Sequence, residues 1–436
     1  MSGSLCEAEI ESLSHDGRGV ARIDGKVFFI EGALAGERVR FMRGRRKRSY
    51  ETGKVTEILR TSADRVPPPC KYFGVCGGCA LQHLAPAAQI ESKRQQLEDH
   101  LVKNAKVRPA AWLEPLIGPT RGYRRKARLG IRYVPKKGGV LVGFRERNKS
   151  YITPLDSCYV LDPGISELLP ALSTLLQDLS CYDRVPQIEI AMGEDTISLV
   201  FRHLVEFTEK DLGNLRNFAE RRGVQVYLQP GGLESILPLS PATPEPLCYE
   251  LNRHDVRIHF RPEDFIQVNP VLNRALVDLA VDYLAPRPDE HVLDLFCGLG
   301  NFTLPLARKS RTILGVEVEP LLVDRACKNA RDNNVCNAEF TVENLYADDL
   351  QGSWLHRNYD KVLLDPPRTG AINVIKRMDQ LRPRRVVYVS CNPATLARDA
   401  EIMVHKLGFD LTVAGVVDMF PHTNHVESIA VFDKSP

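Results

Sequence analysis

From about residue 263 onward the chain alternates short apolar runs, VLDLF, ILGVEV, KVLLDPP and VVYVSC, with the helical segments NRALVDLAVDYL, LVDRACKNARDNN and PATLARDAEIMVHKL. Few folds accept that order. Continuous apolar runs are strands buried on both faces and the intervening helices cover them, so the pattern predicts a parallel sheet wrapped by helices on both sides. Such an open sheet binds its ligand beyond the carboxyl ends of its strands.

The first of those ends reads HVLDLFCGLGNF, a strand containing Asp294 followed by Gly298 and Gly300. Glycines there let the backbone approach a ligand closely. Dinucleotide-binding turns set three glycines against a pyrophosphate; this turn has two, behind an acidic strand. Glu317, at the end of the next run, is placed to accept hydrogen bonds from ribose hydroxyls. A carboxylate-lined pocket suits a cationic cofactor, S-adenosylmethionine.

Farther along, Ser390-Cys391-Asn392-Pro393 joins a strand to a helix. Asn392 is a good N-cap and Pro393 a good first helical residue. Cys391 therefore stands beside a helix N-terminus, where the dipole and free N–H groups favour a thiolate. A lone cysteine can be only a small buried hydrophobe, but this placement argues for a nucleophile. Asp365-Pro366-Pro367-Arg368 ends the run KVLLD. Amino-methylating enzymes carry a similar turn ending in an aromatic, which Arg368 is not, and the turn lacks the cysteine of the DNA cytosine-C5 arrangement. In HTNHVESIAVF, Glu427 precedes a final strand with His422 and His425 nearby. It reads either as a buried base of raised pKa or as a solvated strand-edge charge.

The other end of the chain is basic. Residues 1–150 hold 30 Lys and Arg against 15 Asp and Glu, whereas the remainder holds 28 against 40. Charge needed only for solubility would not segregate this way, so the basic end is expected to meet a nucleic acid. AEIESL, GVARID, KVFFIEG, ERVRFMR and TGKVTEIL read as five short strands, with Asp24-Gly25 a hairpin turn, which suggests a small closed barrel. Arg43, Arg45, Arg46, Lys47 and Arg48 crowd one hairpin tip, a candidate phosphate contact. Pro67, Pro68 and Pro69 mark a boundary. A polar helix is expected over Gln89 to Val102, then a β-rich middle of half-buried antiparallel strands: RKARLGIRYV, VLVGFRERN, IEIAMG, TISLVFRH, VQVYLQP and VRIHFRP. Arg121, Arg124, Arg125, Lys126, Arg128 and Arg132, interleaved with Tyr123 and Tyr133, form a second basic and aromatic surface. Domains are expected at 1–62, 63–262 and 263–436.

No apolar run approaches the roughly 18 residues of a membrane span. MSGSLCEAEIES is acidic and lacks the core of a secretory signal. The eleven cysteines are therefore assigned to a reducing cytosol, where close spacing means metal or catalysis rather than disulfides. Cys70, Cys76 and Cys79 are spaced C-x5-C-x2-C, with Gly77 and Gly78 allowing backbone to wrap closely, and Cys158 is the candidate fourth ligand. All-thiolate ligation fits zinc or an iron–sulfur cluster; a redox CGGC motif is the competing reading.

FIQVN (Phe265 to Asn269), DLFCGLGNF, DPPR, SCNPATLARD and HVES, in that order, resemble the RNA uracil-C5-methyltransferase family across essentially the whole chain. The barrel looks like a TRAM domain, an OB-like module associated with RNA binding, and with CKYFGVCGGC it narrows the resemblance to members acting on 23S ribosomal RNA. The resemblance implies a multidomain α/β protein: an N-terminal TRAM barrel, a central β-rich iron–sulfur domain and a C-terminal Rossmann-like, S-adenosylmethionine-dependent methyltransferase. It implies Cys391 as nucleophile and Glu427 as proton-abstracting base. Gln267, Phe296, Asn301, Glu317, Asn344 and Asp365 would line the S-adenosylmethionine pocket. Cys70, Cys76, Cys79 and Cys158 would hold a [4Fe-4S] cluster of structural or RNA-positioning role. Arg368 and Pro367 receive no role.

The implied activity is methyl transfer to C5 of one uridine, flipped out of its helix, by way of a bond between Cys391 and C6. The implied setting is a cytoplasmic monomer working on RNA, away from DNA and membranes. Two rivals remain. A tRNA uridine-C5-methyltransferase should lack the barrel and the cluster cysteines, and a non-catalytic iron–sulfur RNA-binding protein would have no use for Cys391 and Glu427.

Overall fold

The computed structural model describes residues 4–434. Two compact units divide it: one is the chain up to Gln96 with Phe144–Thr153 and Phe420–His425, the other Leu97–Gly143, Pro154–Met419 and the chain from Val426. No helix among the described residues is long and apolar enough to cross a membrane.

In the first unit β1 (Leu5–Glu9), β2 (Ser12–Leu13), β3 (Gly19–Ile23), β4 (Lys26–Glu31), β5 (Arg38–Arg46) and β6 (Tyr50–Arg60) form one sheet in the order β1-β5-β6-β4-β3-β2. Alternate residues turn inward, so that Ala21, Phe28, Ile30, Val39 and Phe41 make a core. Asp24 and Gly25 both have positive φ, 50° and 76°, as a two-residue type I′ turn requires. The β5–β6 tip closes by donation from Lys47 N–H to Tyr50 O at 2.8 Å, and Arg45, Arg46, Lys47 and Arg48 are exposed on it. The buried Glu51 carboxylate beneath pairs with Lys26 at 2.8 Å and Arg43 at 2.6 Å. The polar helix is α1 (Pro86–Glu98).

The expected iron–sulfur domain is overturned. Among the described residues no group of three or more His, Cys, Asp or Glu side chains is disposed to hold a metal ion. Cys70, Cys76 and Cys79 lie on a stretch of turns and bends in the first unit. Close spacing limits how far apart thiols can lie, but ligation needs every sulfur aimed at one point about 2.3 Å away, and that convergence is not met. The segment is instead organised by its backbone, with Cys76 N–H donating to Tyr72 O at 2.9 Å and Cys70 N–H to the Gln82 side chain at 3.2 Å. The central part is thus a β-rich domain without that metal centre.

Along the chain β7 (Ala111–Trp112), β8 (Lys126–Val134), β9 (Gly139–Arg145) and β10 (Ile152–Pro154) come next, and the second unit continues with the short α2 (Pro163–Ser166), α3 (Leu168–Gln177), β11 (Gln187–Met192), β12 (Ile197–Arg202), α4 (Glu209–Arg222), β13 (Val224–Gln229) and β14 (Leu237–Ser240). β8 pairs antiparallel with β9 and β11, and β11 antiparallel with β12. β12 and β13 pair parallel, against the expectation of an antiparallel set. The reason is α4: a capping box of Thr208 with Asp211 starts it and Gly223, at φ 62°, ends it. A helical crossover returns the chain to the end where it began. The hairpin β15 (Leu247–Leu251) and β16 (Val256–Phe260) then leads to α5 (Pro270–Leu284).

The C-terminal sheet joins β7 to β17 (His291–Leu295), β18 (Thr312–Glu317), β19 (Ala338–Val342), β20 (Lys361–Leu364), β21 (Arg385–Ser390), β22 (Phe409–Val417) and β23 (Glu427–Lys434), in the order β19-β18-β17-β20-β21-β23-β22-β7. β19 through β21 run parallel and β23 is antiparallel to both its neighbours. α6 (Thr303–Ala307), α7 (Pro320–Asp332), α8 (Ile372–Ile375), α9 (Met378–Leu381) and α10 (Pro393–His405) fill the connections. Leu293, Val362, Leu364, Val386, Tyr388 and Phe432 join one apolar core. The strand order reverses between β17 and β20, the switch point where such sheets open a ligand crevice.

Candidate active site

Every expected catalytic side chain stands at one edge of this sheet. β21 is buried almost throughout because neighbours cover it on both sides. Asn392 caps α10 by accepting a hydrogen bond from Ala394 N–H at 3.1 Å, and Pro393 opens the helix. Cys391 is the one residue between Ser390 and that cap. Across the ladder Ser390 faces Ser428, and Ser428 Oγ donates to Ser390 O at 3.2 Å. Cys391 directly follows Ser390 and Glu427 directly precedes Ser428, so both flank the last rung of this ladder, and the Glu427 charge acts on the Cys391 thiol. Glu427 is 3% exposed and Cys391 partly exposed. Of its two sequence readings, Glu427 is the buried one.

The helix terminus does not make Cys391 a resting thiolate, contrary to the expectation from its position. Burial pushes the thiol up to about 12, and the Glu427 and Asp365 carboxylates add to the rise. The Arg368 guanidinium pulls the other way. Two negative groups and desolvation outweigh one cation and a helix end.

Arg368 rides on the turn after β20. Burial raises Asp365, which begins that turn, to about 7. Arg368 O accepts from Asn392 Nδ2 at 2.9 Å and Thr395 Oγ at 3.3 Å, and Arg398 donates to Thr369 O at 2.9 Å. The turn is tied to the helix that Cys391 precedes.

The loop after β17 forms the other wall. Phe296, Gly298 and Gly300 have φ of 65°, 54° and 89°, and for Phe296 that is a strained backbone. A Cβ built on Gly298 would meet nothing within 4 Å, so the loop leaves open space there. Glu317 accepts from Gly298 N–H at 3.1 Å, Val318 N–H at 2.7 Å and Glu319 N–H at 3.2 Å, which fixes it beneath the loop. Asp294 is fully buried, and desolvation raises it to about 8 despite a hydrogen bond from Thr303 Oγ at 2.5 Å; the Asp365 and Glu317 charges add to the rise. Its Oδ1 is buried without a hydrogen-bond partner. An open cradle, an orphaned carboxyl oxygen and three carboxyl groups on adjoining strand ends fit a cationic cofactor.

Of the other residues expected to line the pocket, Asn301 is engaged by Tyr249 O–H at 2.9 Å and exchanges hydrogen bonds with Asn273 at 3.0 and 3.1 Å. Phe296 packs on Tyr346 at 5.7 Å between centroids. Asn344 is exposed and accepts from Tyr346 N–H at 3.0 Å. Gln267 lies half-buried between β16 and α5. Sequence reasoning assigned no role to Arg368, and it overlooked Asp399. The signal for Asp399 was present: it shares the stripe Leu396, Asp399, Ala400 and Met403, an acid on a buried helical face.

Known proteins with this pattern are informative. The family described as tRNA (Uracil-5-)-methyltransferase matches residues 86–435, and the TRAM domain matches residues 1–40. An Aromatoleum aromaticum protein named 23S rRNA (uracil(1939)-C(5))-methyltransferase RlmD is 51% identical over 430 residues, covering 98% of this chain and 99% of that one. A protein of the same name from Methylococcus capsulatus is 49% identical, covering 98% and 96%. The solved structure of Pyrococcus abyssi tRNA (uracil-54, C5)-methyltransferase in complex with S-adenosyl-L-homocysteine is alike in fold, with a TM-score of 0.74 at 24% identity over 98% of this chain and all of that one.

Proposed function

The chain belongs to the tRNA (uracil-5-)-methyltransferase family, and on that premise we infer that it is an enzyme transferring a methyl group from S-adenosylmethionine to C5 of a uridine in 23S ribosomal RNA. The target we assign is the one its relatives are named for, uracil 1939. The observation that carries the chemistry is the closeness of Cys391 and Glu427, a thiol and a buried carboxyl that flank the Ser390–Ser428 rung at the carboxyl edge of the sheet.

When bound, S-adenosylmethionine supplies a methyl group made electrophilic by positive sulfur. Gln267, Phe296, Asn301, Glu317, Asn344 and Asp365 are the residues that would hold it, with Gly298 leaving room. Uracil C5 is too weak a nucleophile by itself. The Cys391 thiol releases its proton to water, the thiolate adds to C6, the ring's π pair shifts towards the C4 oxygen, and C5 becomes electron-rich enough to take the methyl. Arg368 favours the thiolate needed for that addition. Glu427 then removes the C5 proton, the C5–C6 double bond re-forms and Cys391 leaves as thiolate. The ring must leave its stack to reach this edge.

On the same reading residues 1–62 grip RNA, residues 63–262 add a basic surface and residues 263–436 carry out methylation. The enzyme works as a cytoplasmic monomer without contact to DNA or membranes. Incubation with labelled S-adenosylmethionine and either unmodified 23S rRNA or tRNA transcripts tests the assignment. Label in rRNA is expected; label only in tRNA, or full activity of Cys391→Ala, would reject it.

A further inference from the structure

We propose that Asp399 is a positioning residue of this site, which acts by clamping the Asp365–Ala371 turn, and with it Arg368, to the helix that begins at Cys391. The proposal rests on the reading of Cys391 as nucleophile and extends it to a residue remote from the reacting atoms.

Asp399 is 0% exposed. A buried carboxylate is tolerated only when its oxygens are satisfied, and those of Asp399 are satisfied by three structures at once. Oδ2 accepts from Ala371 N–H at 2.8 Å, at the end of the turn after β20. It also accepts from Tyr388 O–H at 2.8 Å, on β21 three residues before Cys391. Oδ1 accepts from Arg398 Nε at 2.9 Å, and the same guanidinium donates to Thr369 O at 2.9 Å. With Asn392 and Thr395 on Arg368 O, the N-cap and first two turns of α10 hold Arg368 O, Thr369 O and Ala371 N–H.

The packing allows no slack. Gly370 has φ 75°, and a Cβ there would stand 2.6 Å from Arg398 Nη2 and 2.8 Å from Asp399 Oδ2. Without that carboxylate, Ala371 N–H loses its acceptor and Arg398 its orienting partner. The turn carrying Arg368 then keeps only the Asn392 and Thr395 bonds to Arg368 O, which loosens its hold beside Cys391. Arg368 opposes two carboxylates that raise the thiol, so a small retreat should matter to Cys391 chemistry more than to RNA affinity.

The test compares Asp399→Asn, Arg368→Gln and the double variant in the full chain. The first readout is the pH dependence of iodoacetamide capture at Cys391, followed by mass spectrometry of its peptide. The second is kcat and KM for methyl transfer. Asp399→Asn should raise the Cys391 titration by about one pH unit and lower kcat about tenfold, with KM for RNA within about twofold. The double variant should resemble Arg368→Gln alone, because both act through one cation. Unchanged alkylation and kcat in Asp399→Asn, or losses that multiply in the double variant, would overturn the proposal. If Asp399→Asn fails to fold, Tyr388→Phe and Thr395→Ala each cut one tie and should give about threefold effects in the same two readouts; wild-type values in both would overturn it. Full turnover by Cys391→Ala would instead reject the nucleophile assignment itself.

Discussion

Cys391 and Glu427 flank the Ser390–Ser428 pair that closes the β21–β23 ladder, near enough for the Glu427 charge to act on the thiol. The two residues are separated by a long stretch of sequence, yet the ladder brings their neighbours Ser390 and Ser428 opposite each other. Each step proposed for uracil needs one of them, a sulfur to add and a carboxylate to take a proton.

Removal of the sulfur should therefore stop the reaction without releasing the RNA. Cys391→Ala is expected to lose at least about 10³-fold in kcat, with RNA affinity in a filter-binding assay within about twofold. Retained turnover would refute the covalent route.

Loss of the base should leave the reaction half finished. Glu427→Gln keeps the size and buried position of the side chain but cannot take up the C5 proton. A covalent protein–RNA species should accumulate and run as a retarded band on a denaturing gel, dependent on Cys391. Absence of that band in the presence of cofactor would remove Glu427 from the base role.

Asp294 and Asp365 make stability depend on pH with a definite sign. Burial raises them to about 8 and about 7, from ordinary carboxyl values near 4 in the unfolded chain. Between those values the folded protein holds protons that the unfolded chain has released, so stability falls as pH rises. The melting temperature of the cofactor-free enzyme should drop from pH 5.5 to 8.5. Cationic S-adenosylmethionine should bind more tightly as these groups ionise, while the neutral S-adenosylhomocysteine should follow pH less. A melting temperature that rises with pH, or equal pH slopes for the two ligands, would contradict this.

The β5–β6 tip should behave as an electrostatic grip on the RNA backbone. Arg45→Gln, Lys47→Gln and Arg48→Gln together should weaken RNA binding and flatten its salt dependence, by about 0.7 in log–log slope for each phosphate of single-stranded RNA that is no longer neutralised. Deletion of residues 1–62 should do so more strongly. Binding unchanged at every salt concentration would exclude a role for the tip.

Much of this was legible along the chain because it is local. An Asn-Pro helix start needs only Asn392 and Pro393. A type I′ turn needs only Asp24-Gly25, and a buried parallel strand announces itself in VVYVS. The parallel pairing of β12 with β13 was missed because its cause, α4, is an amphipathic helix with few apolar residues, overlooked between two conspicuous strands. The iron–sulfur expectation failed because spacing describes separation along the backbone, whereas ligation depends on where side chains converge.

Sequence alone determined where the strands end and therefore which residues, Asp294, Glu317, Asp365 and Cys391, stand at the ligand-binding edge, since strand and helix boundaries follow from short-range sterics and capping. Only the tertiary structure decided that Glu427 is buried, and that the Glu427, Asp365 and Arg368 charges and the surrounding burial act together on the Cys391 thiol, with a net upward push. Cross-strand register, burial and the balance of nearby charges depend on groups distant in sequence, and no local pattern encodes them.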